Sequence, residues 1–193
     1  MGRNVNLKWL MGAGLFLLGS CAVIDKINAP TLEGAPATSA LVVVNCEAVM
    51  HGMLGLKTPQ QVTGGTLRDA DGFNPIRGRT VSGLIIFSNV PPGRYYLAKI
   101  ETTWQAGNTT WQHTYEVPPE KIPSLTVSTT LGEPTFLGVV TVEEIRKPSE
   151  RGVTFRHNPS KDAELGAWRK FLQLYEGSVW ENMIKKRIAE LQS

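Results

Sequence analysis

The sequence predicts a mainly β protein, an antiparallel β-sandwich of about seven strands followed by a C-terminal hairpin of two helices. Three observations carry this. Between Ala40 and His157, short runs rich in valine, isoleucine, threonine and aromatic residues recur between glycines and prolines, as strands separated by turns do. Pro91-Pro92-Gly93 marks a sharp reversal, because proline presets φ at the first corner of a turn and glycine accepts a positive φ at the second. After Asn158-Pro159-Ser160 the apolar spacing changes from two residues to that of a helix.

Taken in order, the runs are Leu41 to Val49, Leu84 to Val90, Tyr95 to Trp104, Thr110 to Val117, Leu125 to Leu131, Phe136 to Glu143 and Val153 to Arg156. In the first, alternation places Val42, Val44, Cys46 and Ala48 opposite Asn45 and Glu47, so Cys46 reads as a buried thiol packed as a small hydrophobe. The glycine-rich stretch from Met50 to Gly83 holds either a strand near Val62 to Leu67 or mostly loop. At the C-terminus, Leu165, Trp168, Phe171, Leu172 and Tyr175 line one helix face and Gly177 stops that helix. Ser178-Val179-Trp180-Glu181 reads as a capping box for a second helix, with Trp180, Met183, Ile184, Ile188 and Leu191 as its stripe. The expected divisions are therefore 1–20, 21–39, the β-domain over 40–157 and the helical hairpin over 158–193.

A chain of 193 residues that is 41% hydrophobic suffices for one well-packed domain and leaves no room for a large multidomain enzyme. Its formal charge of +3 falls to about +1 if Arg3 and Lys8 are removed with a leader, so nothing steers it toward nucleic acid. Such a leader is expected. Residues Met1 to Lys8 carry two positive charges and no acid, and Trp9 to Leu18 form an apolar run too short to cross a bilayer, which takes ~20 residues. Leu18-Gly19-Ser20-Cys21 then resembles the lipobox of bacterial lipoproteins. That resemblance implies that residues 1–20 are a signal peptide and that Cys21 becomes an acylated N-terminus. Membrane lipid is then the first partner, and Ala22 after the cysteine points to the outer membrane, facing the periplasm. Residues 21–39, with Pro30, Pro36 and Gly34, read as a flexible tether. Lipidation of Cys21 would leave Cys46 without a disulfide partner.

A second resemblance covers the strand-turn-strand Leu84 to Leu97. Phe87-Ser88-Asn89-Val90-Pro91-Pro92-Gly93-Arg94-Tyr95-Tyr96-Leu97 is similar to the hairpin of transthyretin-like sandwiches, which include carboxypeptidase regulatory-like domains. The likeness implies the fold and no particular activity. It turns Tyr95 and Leu97 inward, which would bring Lys99 with them unless a bulge intervenes. The C-terminal segment resembles a single tetratricopeptide-type hairpin, and one copy must bury its stripe against the sandwich or a partner.

Chemistry-bearing motifs are sparse. His51, His113 and His157 lie in separate elements without the spacing of zinc ligands, and neither a metal nor any other cofactor is expected. His113 shares a strand face with Trp111 and Tyr115. Gly64-Gly65 lacks the lysine of a phosphate loop, and Asp69-Ala70-Asp71-Gly72 lacks the further ligands of a calcium loop. Trp104 and Trp111 flank a polar hairpin tip, where paired rings suit either sugar stacking or stabilisation of the hairpin itself. The expectation is thus a non-catalytic envelope lipoprotein with a structural or protein-interaction role. A glycan- or peptide-binding module using Trp104 and Trp111 is the alternative, and a hydrolase built on a histidine is a third reading.

Overall fold

The computed structural model describes residues 29–52, 56–147 and 150–193. Cys21 lies outside these. Among the described residues the protein is mainly β, with a C-terminal pair of helices. Strands run β1 (Ala40–His51), β2 (Lys57–Asp69), β3 (Pro75–Val81), β4 (Leu84–Val90), β5 (Gly93–Ala106), β6 (Thr109–Glu116), β7 (Thr126–Thr129), β8 (Pro134–Lys147) and β9 (Glu150–Asn158). A 3-10 segment (Pro119–Leu125) precedes β7, and helices α1 (Lys161–Leu174) and α2 (Glu181–Gln192) follow β9.

Hydrogen bonding joins the strands in the order β6-β5-β2-β3-β4-β1-β8-β9, with β7 on β5. A further pairing of β2 with β1 closes β1, β4, β3 and β2 into a ring, a small barrel with extra strands in place of two clearly separate sheets. Two features depart from the sequence reading. The glycine-rich stretch forms both β2 and β3, so there are nine strands among the described residues. One pairing, β1 with β8, is parallel and runs from Leu41↔Pro134 to His51↔Ile145. Parallel neighbours need a long crossover, which the excursion through β2 to β7 supplies.

The ring has a simple construction. Strands β1 and β2 pair as a hairpin only near their turn, from His51↔Lys57 to Ala48↔Gln60. Beyond that point they splay, and the β3–β4 hairpin fills the fork, with β3 on β2 and β4 on β1. Its tip, Ser82-Gly83, has φ of 50° and 78°, the double positive value that a two-residue turn needs to match strand twist. The Cys46 N–H donates to the Gly83 carbonyl at 2.8 Å and ties the tip to the crotch of the fork.

Strand β1 is buried on both faces, as its apolar run allows. Val42, Val44, Cys46 and Ala48 enter the inner core with Ile85, Phe87, Leu97, Ile100 and Val140. Leu41 and Val43 face outward into a second core with Trp168, Phe171, Trp180 and Ile184, all four fully buried. The helix pair therefore covers the outer face of β1, β3, β4 and β8. Each such side chain contributes ~1.5–3 kcal/mol by leaving water, enough to hold two short helices that could not persist alone.

Local details follow from residue chemistry. Tyr95, Leu97 and Ile100 all reach the inner core because the β2–β5 register shifts between Thr66 and Leu67, a bulge that turns Lys99 away to pair with Glu116 at 2.9 Å. The chain reverses at Pro91-Pro92 as expected, but β4 and β5 do not pair with each other; β5 crosses to β2, β6 and β7, so this is a corner and not a hairpin. Ser160 caps α1 by accepting from the Ala163 N–H, and Gly177 takes a φ of 80° after its end. The expected capping box is altered: Glu181 accepts from the Gly177 N–H, while the Ser178 hydroxyl has no hydrogen-bond partner.

The described end of the expected tether, residues 29–39, lies on the domain. Ala29 and Leu32 pack on the second core, the Glu33 N–H donates to Ser88 Oγ at 2.9 Å, and Ser39 is buried.

Candidate functional site

The end of β1 and start of β2, the end of β5 and start of β6, and the end of β8 gather at one end of the molecule, as the pairings Met50↔Thr58, Met50↔Glu144 and Gln61↔Thr103 require. The N-terminal segment joins β1 at the other end. A strand of twelve residues at ~3.3 Å per residue separates the two by ~40 Å.

Trp104 and Trp111 stand at this far end, directly opposite each other on β5 and β6. Their rings are stacked, with centroids 6.4 Å apart and planes 15° apart. Each therefore spends one face on the other. Trp111 remains half exposed at 51%, while the Trp104 Nε1–H is buried without a hydrogen-bond partner.

Alternation carries the same face inward to His113 and Tyr115 on β6 and Thr102 on β5. Gln60 from β2 and Glu144 and Arg146 from β8 complete a polar cluster that the sequence reading did not assemble. The Tyr115 hydroxyl lies 2.8 Å from both Gln60 Oε1 and Glu144 Oε2, and Thr102 Oγ1 donates to Gln60 Oε1 at 3.0 Å. Glu144 also accepts from Arg146 Nε at 2.6 Å and lies 3.3 Å from His113 Nδ1. Arg146 Nη2 reaches His113 Nε2 at 3.2 Å. The same Nη2 lies 3.4 Å from His113 Nδ1, so the guanidinium faces the edge of the ring between its two nitrogens.

The electrostatics agree with this wiring. Burial pushes the Glu144 carboxyl up, but hydrogen bonds from Arg146 and Tyr115, with the charges of Arg146 and His113, outweigh it and hold the carboxyl below its usual range. Burial, reinforced by the hydrogen bond to Glu144, pushes the Tyr115 phenol up to about 12. The cluster is thus an ionised carboxylate clasped by donors from β6 and β8, two strands that do not pair in the sheet. It staples the β5–β6 arm to β8.

Among the described residues the His113 ring is partnered by Gln60, Tyr115, Glu144 and Arg146. His157 Nε2 bonds the Leu137 carbonyl at 2.7 Å beside Gly138, and His51 Nε2 is buried without a partner. The structure brings the three histidines to separate places. Asp69 closes its own turn, accepting from the Phe73 N–H at 2.9 Å and from Asn74, and Gly72 takes a φ of 80° there. Among the described residues no three histidine, cysteine or acidic side chains converge on a point that could hold a metal. Cys46 is buried, and desolvation followed by the charge of Glu47 pushes its thiol up to about 12. No described helix is long and apolar enough to cross a membrane.

No family model and no curated protein matches the chain. Among solved structures it is similar to a leucine-rich repeat protein from Bacteroides thetaiotaomicron, at 12% identity and a TM-score of 0.32 over 75% of this chain. The chain spans 16% of the length of that protein.

Proposed function

We propose that the protein is a bacterial envelope lipoprotein, anchored by acylated Cys21 to the periplasmic face of the outer membrane, with a non-catalytic structural or protein-interaction role. The observation that carries the anchor is the order of features at the N-terminus: Arg3 and Lys8, the apolar run Trp9 to Leu18, then Leu18-Gly19-Ser20-Cys21. Two or three acyl chains at ~0.8 kcal/mol per buried methylene would attach it durably. The engagement of His113 with Glu144 and Arg146 in the staple supports a structural role for that ring. For the fold we propose a distorted transthyretin-like sandwich. Its support is the Pro-Pro-Gly corner, which carries the chain from β4 to β5 across an inner core that both arms line. The tetratricopeptide-like stripe of the helices is spent on that domain, leaving it unavailable to a peptide.

Alkyne-palmitate labelling of cells tests the anchor. Label in the membrane fraction, lost in Cys21→Ser, is the expected result; an unprocessed, unlabelled cytosolic protein would overturn it.

A glycan-binding role has one observation in its favour, the half-exposed Trp111 ring braced from behind by Trp104. Titration with cell-wall fragments should then shift tryptophan fluorescence in the parent and leave Trp111→Ala unchanged. No shift in the parent removes this reading.

A further inference from the structure

We infer that the pocket where residues 30–33 cross β3 and β4 binds an oxyanion of phosphate-ester chemistry. The cavity has a volume of about 280 Å³ and lies between that crossing segment, the outer face of β3, the end of β4 and Tyr175 beyond α1. Alternation along β3 puts Arg77 and Arg79 on the same face, two residues apart, where both line the cavity. Arg79 Nη2 bonds Glu33 Oε1 at 2.9 Å across the opening, whereas Arg77 has no ion-pair partner among the described residues. Tyr175 is 8% exposed and its hydroxyl is buried with no hydrogen-bond partner, an arrangement a folded protein does not keep cheaply. Ser88 Oγ accepts from the Glu33 N–H, which leaves its own hydrogen to donate.

Two guanidinium groups, a phenol and a hydroxyl, drawn from three separate segments, therefore line one cavity, and the carboxylate at its rim, Glu33, is already held by Arg79. Donors in that number and from several directions suit a group with three or more acceptor oxygens. Arginine forks match phosphate oxygens two at a time. Such a group can come from a lipid headgroup or from a soluble phosphate ester. The lipid source rests on the anchor proposed above: Ala29 is eight Cα steps from Cys21, a reach of at most ~28 Å, so an acylated Cys21 would hold the pocket within that distance of the headgroup plane.

The test is calorimetric titration of the full chain with inorganic phosphate and, separately, with glycerophosphoglycerol, the water-soluble diester headgroup of phosphatidylglycerol. Saturable binding of at least one is expected. Combining Arg77→Ala with Arg79→Ala should weaken it about tenfold without lowering the melting temperature, because both side chains are exposed. Glu33→Gln should tighten it severalfold by removing the competing carboxylate, a gain that damage to the fold would not produce. Tighter binding of the diester assigns the site to lipid, and tighter binding of inorganic phosphate assigns it to a soluble ester. No saturable binding of either, or equal binding by the parent, the double variant and Glu33→Gln, overturns the pocket. Phosphate binding that persists in a protein that fails palmitate labelling would reject the anchor alone.

Discussion

Replacing Glu144 by glutamine keeps its shape and removes its charge, and the structure says what that costs. The carboxylate accepts from Arg146 at 2.6 Å and from Tyr115 at 2.8 Å, with His113 Nδ1 at 3.3 Å. Glutamine retains one oxygen, so its NH₂ faces either Arg146, which can only donate, or the Tyr115 hydroxyl, which must then give up its own donation to accept. A hydrogen bond to a charged group is worth ~1.5–3 kcal/mol, and breaking a fully buried pair costs ~3–5 kcal/mol. Glu144 is 15% exposed, which places the expected loss between these, at about 2–3 kcal/mol near pH 7. The pH dependence fixes the cause. A carboxyl held below its unfolded value stabilises the fold above that value and loses this contribution as pH falls through the folded one. The gap between parent and Glu144→Gln should therefore be full at pH 7 and close progressively below about pH 4.5, the ordinary glutamate value. Urea unfolding followed by tryptophan fluorescence at pH 7, 5 and 3 measures it. A gap under ~0.5 kcal/mol at pH 7, within the range of an ordinary surface change, or one that does not vary with pH, would refute the staple.

Three other outcomes follow from packing and backbone. Trp168→Ala empties a fully buried site between α1 and the sheet and should cost ~3–5 kcal/mol, with early proteolysis of the helix pair as its readout. At Gly138, whose φ is 128°, a Cβ would stand 2.4 Å from His157 Nε2; Gly138→Ala should lower stability by about 2 kcal/mol in the same urea assay. With its thiol pushed up to about 12, Cys46 should resist iodoacetamide at pH 8 in the native protein and react fully after denaturation.

Strands with alternating or continuous apolar residues were legible from sequence. Leu84 to Val90 matches β4 end to end, and β1, β5, β6, β8 and β9 differ from their runs mainly at the margins. Strands β2 and β3 were obscured by glycines that here mark crowding and not turns. A Cβ at Gly78 would lie 2.6 Å from both Ile85 and the Phe87 ring, and one at Gly65 would lie 3.0 Å from Ile85, so these strands lack side chains because their neighbours fill the space. The parallel β1–β8 pairing depends on which chain segment reaches β1's second edge, which no local pattern encodes. The same holds for the polar cluster. Trp111, His113 and Tyr115 share a face by simple alternation, but Gln60, Thr102, Glu144 and Arg146 join them from three other strands.

The position of β1 determines how the molecule bears mechanical load. A pull on the chain ahead of Ala40 acts lengthwise on a strand bonded along one edge to β4 and then β2, and along the other to β8. Hydrogen bonds loaded in shear must yield together, whereas those of a strand peeled from its end open one at a time. Tension arriving from the N-terminal side therefore loads the bonds of β1 together, on both of its edges.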